Sequence, residues 1–91
     1  MIRSFRHKGL HELFMTGRSR RIRPDLSERC LVRLEALNLA ERPGDMDVPG
    51  FDFHALRGSP KRYTVHVNGP WCVTFEFDEG DAFRVDFENY H

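Results

Sequence analysis

The residues of this chain with most chemistry to offer are five histidines, at positions 7, 11, 54, 66 and 91, together with Arg57, Arg62 and a terminal Tyr90-His91. Histidine moves protons near neutral pH, arginine holds a phosphate through two parallel hydrogen bonds, and tyrosine donates a hydrogen bond or stacks on a base. That set permits a metal-free attack on an RNA phosphodiester, because RNA supplies its own nucleophile in the 2′-hydroxyl. The protein then needs only to align that oxygen with phosphorus, move two protons and stabilise charge on the phosphoryl oxygens. Metal chemistry is less well served. His7 and His11 have i, i+4 helical spacing, yet no acid follows in the His-Glu-x-x-His manner, so neither a metal nor another cofactor is expected. No glycine-rich phosphate cradle follows a strand, and nothing around Cys72 marks it as a nucleophile.

Length and charge bound the setting for that chemistry. A chain of 91 residues reads as one domain over 1–91, with a thin core in which every aromatic matters. Lys+Arg 14 and Asp+Glu 14 cancel overall, but residues 1–45 hold ten basic against six acidic side chains and residues 46–91 hold four against eight. A nucleic acid would therefore be met by a patch rather than by the field of the whole molecule. The N-terminus lacks the apolar run of a signal peptide, and no stretch approaches the roughly 20 apolar residues of a membrane span. With two cysteines allowing one disulfide at most, a reduced, cytoplasmic setting without membrane contact is expected.

Hydrophobic periodicity supplies the elements that must position these residues. Ile2 to Phe5 reads as a short strand, and Leu10, Leu13 and Phe14 share one face of a helix over His7 to Met15 that Gly17 stops. Four arginines then fall within Arg18 to Arg23, a run that is either a solvated connection or a contact for phosphate or an acidic partner. Asp25 and Glu28 predict a capping box with Pro24 just outside, and Leu26, Cys30, Leu34 and Leu37 form the apolar stripe of a helix reaching about Ala40. Residues 45–61 look irregular, though Phe51 and Phe53 are placed to pin them to the core. Tyr63, Val65 and Val67, then Trp71, Val73, Phe75 and Phe77, then Phe83, Val85 and Phe87 alternate as three antiparallel strands. The expected fold class is α+β, a small antiparallel sheet packed on one face against two N-terminal helices.

The other face of that sheet then carries His66, Cys72, Thr74, Glu76, Arg84 and Asp86. Ordinary cross-strand pairs account for much of such a set. They do not account for its company, with His54, Arg57, Lys61 and Arg62 in or beside the long loop and Tyr90-His91 at the end.

Four segments make a more specific pattern: Met1-Ile2-Arg3-Ser4-Phe5-Arg6-His7-Lys8-Gly9-Leu10, His54-Ala55-Leu56-Arg57-Gly58, Val67-Asn68-Gly69-Pro70-Trp71 with Thr74-Phe75, and Gly80-Asp81-Ala82 with Val85-Asp86-Phe87-Glu88-Asn89-Tyr90-His91. In order and spacing they resemble the HigB plasmid-maintenance killer proteins of the RelE/ParE superfamily, along the whole chain. The resemblance implies a RelE-like fold and the toxin of a bacterial type II toxin-antitoxin pair, an endoribonuclease that cleaves messenger RNA in the ribosomal decoding site without a metal ion. It also implies a HigA-like helix-turn-helix antitoxin as partner, and contact with operator DNA only through that complex. His54 matches the family's loop histidine, Arg57 stands where many relatives have a catalytic lysine, and Tyr90 and His91 match the terminal pair. By that likeness His54 and His91 move protons or position substrate, Arg57 stabilises charge and Tyr90 serves in positioning.

One position departs from the family. Where many relatives have an arginine after the strand tryptophan, thought to hold the scissile phosphate, this chain has Cys72. Alternation points Cys72 toward the proposed active surface, where Arg57, Arg62 or Arg84 would have to take over, with Lys61 nearby. Two alternatives follow: a weak or inactive toxin that only engages its antitoxin and operon, and a ParE-like inhibitor of DNA gyrase.

Overall fold

The computed structural model describes residues 1–89, in which two helices cover one face of a four-stranded antiparallel sheet. Helix α1, Lys8–Thr16, starts where His7 Nδ1 accepts the Leu10 N–H at 3.2 Å. It stops at Gly17, whose left-handed φ of 82° lets its N–H reach the Leu13 carbonyl at 2.8 Å. Leu10 and Leu13 are buried on the face that the spacing predicts.

Helix α2, Pro24–Leu39, buries Leu26, Cys30, Leu34 and Leu37, again the expected stripe. Its start differs from expectation. Pro24 stands inside the first turn, where a missing N–H costs nothing, and Arg23 is the N-cap residue without a side-chain cap bond. Asp25 turns instead to the Arg23 guanidinium, at 3.1 and 2.7 Å, so no Asp25–Glu28 capping box forms. Between the helices Arg18, Arg20, Arg21 and Arg23 are exposed while Ile22 is buried and anchors the connection. A short 3₁₀ turn, Pro43–Met46, follows α2 and sinks Met46 into the core.

The strands are β1 (His54–Leu56), β2 (Arg62–Asn68), β3 (Trp71–Asp78) and β4 (Asp81–Asn89), in that spatial order. Ile2 and Phe5 form isolated parallel bridges to Ala82 and Val85, so the opening segment lies along β4 and leaves β1 as the uncovered edge. Two-residue turns join the long strands. Gly69 takes φ 58° at the first turn position, the sign a II′ hairpin needs, and Pro70 fits beside it. Glu79 and Gly80, at φ 47° and 84°, make the corresponding turn from β3 to β4.

Two features depart from simple alternation. The irregular stretch contains β1, a three-residue strand with no periodicity of its own, which pairs His54 with Thr64 and Leu56 with Arg62. In β4 a bulge places Arg84 and Val85 opposite Phe75 alone, with Arg84 at φ 48°. The added residue inverts the pattern, so Ala82 rather than Phe83 faces inward beside Val85, and Phe83 pairs with Glu76 on the outer face.

Phe75 is fully buried and stacks against Tyr63, which stacks in turn on Phe53. Phe51 is also buried, so both loop aromatics pin the segment before β1 as expected. No helix among the described residues is long and apolar enough to cross a membrane. Phe75→Ala is expected to destabilise the fold by about 3–5 kcal/mol, as large aromatic truncations in packed cores do. Urea denaturation followed by Trp71 fluorescence measures it, and a loss below about 1 kcal/mol would contradict the central place of this ring.

Candidate active site

Because Val65, Val67, Val73 and Phe75 take the inner face, the register sends His54, Thr64, His66, Cys72, Thr74 and Glu76 to the other side. There a groove of about 630 Å³ opens between β1 and the Gly69–Pro70 turn, lined by Asp52, His54, Leu56, Thr64, His66, Gly69, Pro70 and Cys72. Two of the residues singled out from sequence, His54 and Cys72, share it.

His54 stands exposed on the edge strand, with Nδ1 3.1 Å from the Asp52 carbonyl. A carbonyl oxygen only accepts, so in the neutral ring Nδ1 carries the proton and Nε2 keeps its lone pair. That tautomer leaves Nε2 able to accept a proton. Asp52 itself has φ 47°, a left-handed conformation that Asp tolerates better than most residues. His66, across the groove, is held harder. Its Nε2 bonds the Gly69 carbonyl at 2.8 Å, its N–H donates to Phe51 at 2.6 Å, and its carbonyl accepts from Arg33 Nε at 2.7 Å.

Beyond the groove, Glu76 ties two arginines together. Its Oε2 accepts from Arg62 Nη1 at 3.0 Å and Arg84 Nε at 2.8 Å, and its Oε1 from Arg84 Nη2 at 2.7 Å. Arg62 Nη2 also donates to Thr74 Oγ1 and to the Arg84 carbonyl, each at 3.0 Å, while Thr74 Oγ1 donates to Glu88. The Arg84 hydrogen bonds, and then Arg62, hold the Glu76 carboxyl below the usual glutamate range against the opposing effect of burial. The Arg84 guanidinium is correspondingly raised by Glu76.

The remaining candidates lie apart. Arg57, one residue past β1, is exposed and makes no ion pair among the described residues. Lys61 is exposed with its ammonium 5.6 Å from the Tyr63 ring centre. Cys72 is buried, its Sγ 3.9 Å from the Pro70 carbonyl. Tyr90 and His91 lie outside the described residues. Of the three arginines that would compensate for Cys72, Arg62 and Arg84 are therefore committed to Glu76 and Arg57 is not. Sequence reasoning missed Thr64 and gave His66 no role, although alternation with Tyr63, Val65 and Val67 places both on this face. Among the described residues no three His, Cys, Asp or Glu side chains come together as a metal-holding group.

This architecture meets its relatives over its full length. A family model described as the RelE-like toxin of the type II toxin-antitoxin system HigB matches residues 3–91. The chain belongs to the HigB-like toxin family. Endoribonuclease HigB of Proteus vulgaris is 35% identical to it over 92 residues, covering 100% of both chains. In this HigB-like toxin the outer face thus carries a histidine whose Nε2 has no hydrogen-bond partner among the described residues, a groove beside it and, beyond the groove, an ion-pair network centred on the buried Glu76.

Glu76→Gln is expected to lower stability at pH 7 by roughly 1.5–3 kcal/mol, the range for hydrogen bonds to charged groups. Since the folded carboxyl lies below its ordinary value of 4.5, the wild-type advantage is complete above that value and fades as pH falls through the lower folded one. Urea titrations of both proteins from neutral to acid pH check this, and a gap that does not narrow on acidification would contradict it.

Proposed function

We propose that this HigB-like toxin is an endoribonuclease that cuts messenger RNA on the translating ribosome by metal-independent acid-base chemistry. The observation that carries the reading is the 35% identity, over the full length of both chains, to an endoribonuclease of the same family. His54 Nε2, which has no hydrogen-bond partner among the described residues and lies on an exposed strand beside a groove, supports it.

In this reading His54 Nε2 takes the proton of the 2′-hydroxyl as that oxygen attacks phosphorus. Arg57 stabilises the charge that builds on the phosphoryl oxygens. Tyr90 positions the phosphate and His91 returns a proton to the departing 5′ oxygen. The bond from phosphorus to the 5′ oxygen breaks, leaving a 2′,3′-cyclic phosphate on one fragment and a 5′-hydroxyl on the other. Arg62 and Arg84, bound to Glu76, keep the face rigid beside the substrate, and Lys61 adds a cation at its border. Residues 1–91 act as one domain in the cytoplasm, neutralised by a HigA-like helix-turn-helix antitoxin. Operator DNA is met through that complex.

The test uses purified toxin on 70S ribosomes programmed with a defined messenger RNA, with cut sites mapped by primer extension. Cuts at decoding-site codons and fragments with 5′-hydroxyl ends are expected. His54→Ala and His91→Ala should each slow cutting by about 10²–10⁴, the usual share of general acid-base catalysis. Absence of cuts from folded, antitoxin-binding protein would sink the nuclease reading, and loss of gyrase supercoiling in its place would move the target to that enzyme.

Cys72 favours a second reading, a toxin of low activity that serves chiefly in antitoxin binding and operon control. Neither Arg62 nor Arg84 is free to replace a missing guanidinium there. Cys72→Arg is expected to raise the cleavage rate about tenfold or more under this reading. An unchanged rate in the same ribosome assay would count against it.

A further inference from the structure

We infer that the connection between α1 and α2 is an RNA-backbone contact, in which Arg18, Arg20 and Arg21 hold phosphates of the substrate strand or of the ribosomal RNA beside it. The inference deepens the endoribonuclease reading, on which the choice of RNA as the polyanion rests.

Charge without counter-charge is the first reason. Arg18, Arg20 and Arg21 are exposed and make no ion pair among the described residues, whereas Arg3, Arg6, Arg23, Arg42, Arg62 and Arg84 each have a carboxylate. Beside the three stands one acid, Glu12. Like charges within four residues repel one another, so an anion that meets them together relieves that repulsion.

The second reason is that the frame carrying these charges is held. Thr16 Oγ1 accepts the Arg18 N–H at 3.3 Å, and Ser19 Oγ accepts the Arg21 N–H at 3.1 Å. Ile22 is buried, and Arg21 packs so closely over Gly9 that a methyl group there would lie 2.7 Å from the Arg21 Cβ. Binding then costs chiefly the ordering of side chains, since the backbone is ordered already. The surroundings select the partner. Arg18, Arg20 and Arg21 line an open hollow of about 570 Å³ that Glu12, Thr16 and Ser19 complete, with no aliphatic or aromatic wall. Protein partners depend on large anchors seated in desolvated pockets, and this hollow has none to offer. A phosphate backbone needs guanidinium forks and hydroxyls, which it supplies.

Packing ties the connection to the candidate site. Arg21 and the His7 ring both lie against Gly9, His7 meets the Phe87 ring edge-on at 5.9 Å, and Phe87 stacks on Trp71 at 4.9 Å. Trp71 follows the Gly69–Pro70 turn that borders the groove. Arg29, exposed on α2, donates to the Val67 carbonyl at 3.3 Å at this same end of the sheet. Cations thus stand at the end of the sheet where an RNA strand would leave the groove, although the network around Glu76 offsets those on the outer face.

The test compares wild-type toxin with the triple variant Arg18→Gln, Arg20→Gln, Arg21→Gln in two binding assays over a range of salt concentrations. One follows fluorescence anisotropy of a labelled 2′-O-methyl RNA oligonucleotide, which lacks the nucleophile and stays whole; the other follows co-sedimentation with 70S ribosomes free of messenger RNA. In at least one assay the variant is expected to bind about tenfold more weakly or worse, with a salt slope shallower by about 2 for three lost phosphate contacts. An effect on the oligonucleotide assigns the contact to the substrate strand, and one on ribosomes alone assigns it to ribosomal RNA. Arg42→Gln, at an exposed arginine elsewhere, should change neither. Equal affinities and slopes for wild type and triple variant in both assays overturn the contact, as does a wild type that binds neither RNA at low salt. An Arg42→Gln effect one third as large as that of the triple variant also overturns it, because only the net charge would then matter. Unaltered RNA binding with lost binding to poly-L-glutamate overturns it in favour of an acidic protein. Weakened RNA binding by the variant of a toxin whose wild type cuts nothing supports the contact and removes only the nuclease reading.

Discussion

Arg33 is the point at which helix, loop and sheet are held together. From the middle of α2 its guanidinium lies 4.6 Å from the Phe51 ring centre and donates to the carbonyls of His66 at 2.7 Å, Arg29 at 3.1 Å and Gly50 at 3.4 Å. One planar fork thereby satisfies acceptors from three segments that are distant in sequence. The loop before β1 has no ladder of its own to offset the entropy of ordering it. Its order comes from this clasp, from Phe51 and Phe53 in the core, and from the bond between the His66 N–H and the Phe51 carbonyl. The placement of Asp52 and His54 depends on all three.

On the outer face a second constraint operates, and it is electrostatic. Arg62 is 14% and Glu76 10% exposed along their side chains, so each needs the other, because an unpaired charge at that depth is strongly destabilising. Arg84 completes the set from the solvent side at 56% exposed, carried there by the bulge in β4. The network stiffens the centre of the sheet. It also offsets the positive charge of Arg62 and Arg84, whereas Arg57, Lys61 and the arginines between the helices stay exposed.

Much of the fold was legible from periodicity. The stripe of α2, the Gly17 stop, the inward faces of β2 and β3 and the α+β class follow from burying apolar side chains at steps of 3.6 and 2.0 residues. The errors have equally local causes. Pro24 fits the first turn better than the position before it, which displaces Asp25 from the cap. Phe83 reads as a core residue only while β4 is regular, and no feature of composition marks the bulge that turns it outward. Strand β1 is too short for alternation to appear, and it exists because the edge of β2 offers unpaired backbone groups.

By itself the sequence determined which residues must be hidden and therefore which face of the sheet is left for chemistry. Burial is decided by side-chain type and spacing, and both can be read along one strand at a time. Tertiary structure alone decided that His54 and His66 line one groove, that Thr64 Oγ1 is buried with no hydrogen-bond partner among the described residues, and that Glu76 binds Arg62 and Arg84, two of the three arginines available to replace the one missing at Cys72. Those outcomes depend on strand register and on competition for hydrogen bonds between residues far apart in the chain. No local pattern encodes either, because each group's partner is chosen only once the others have taken theirs.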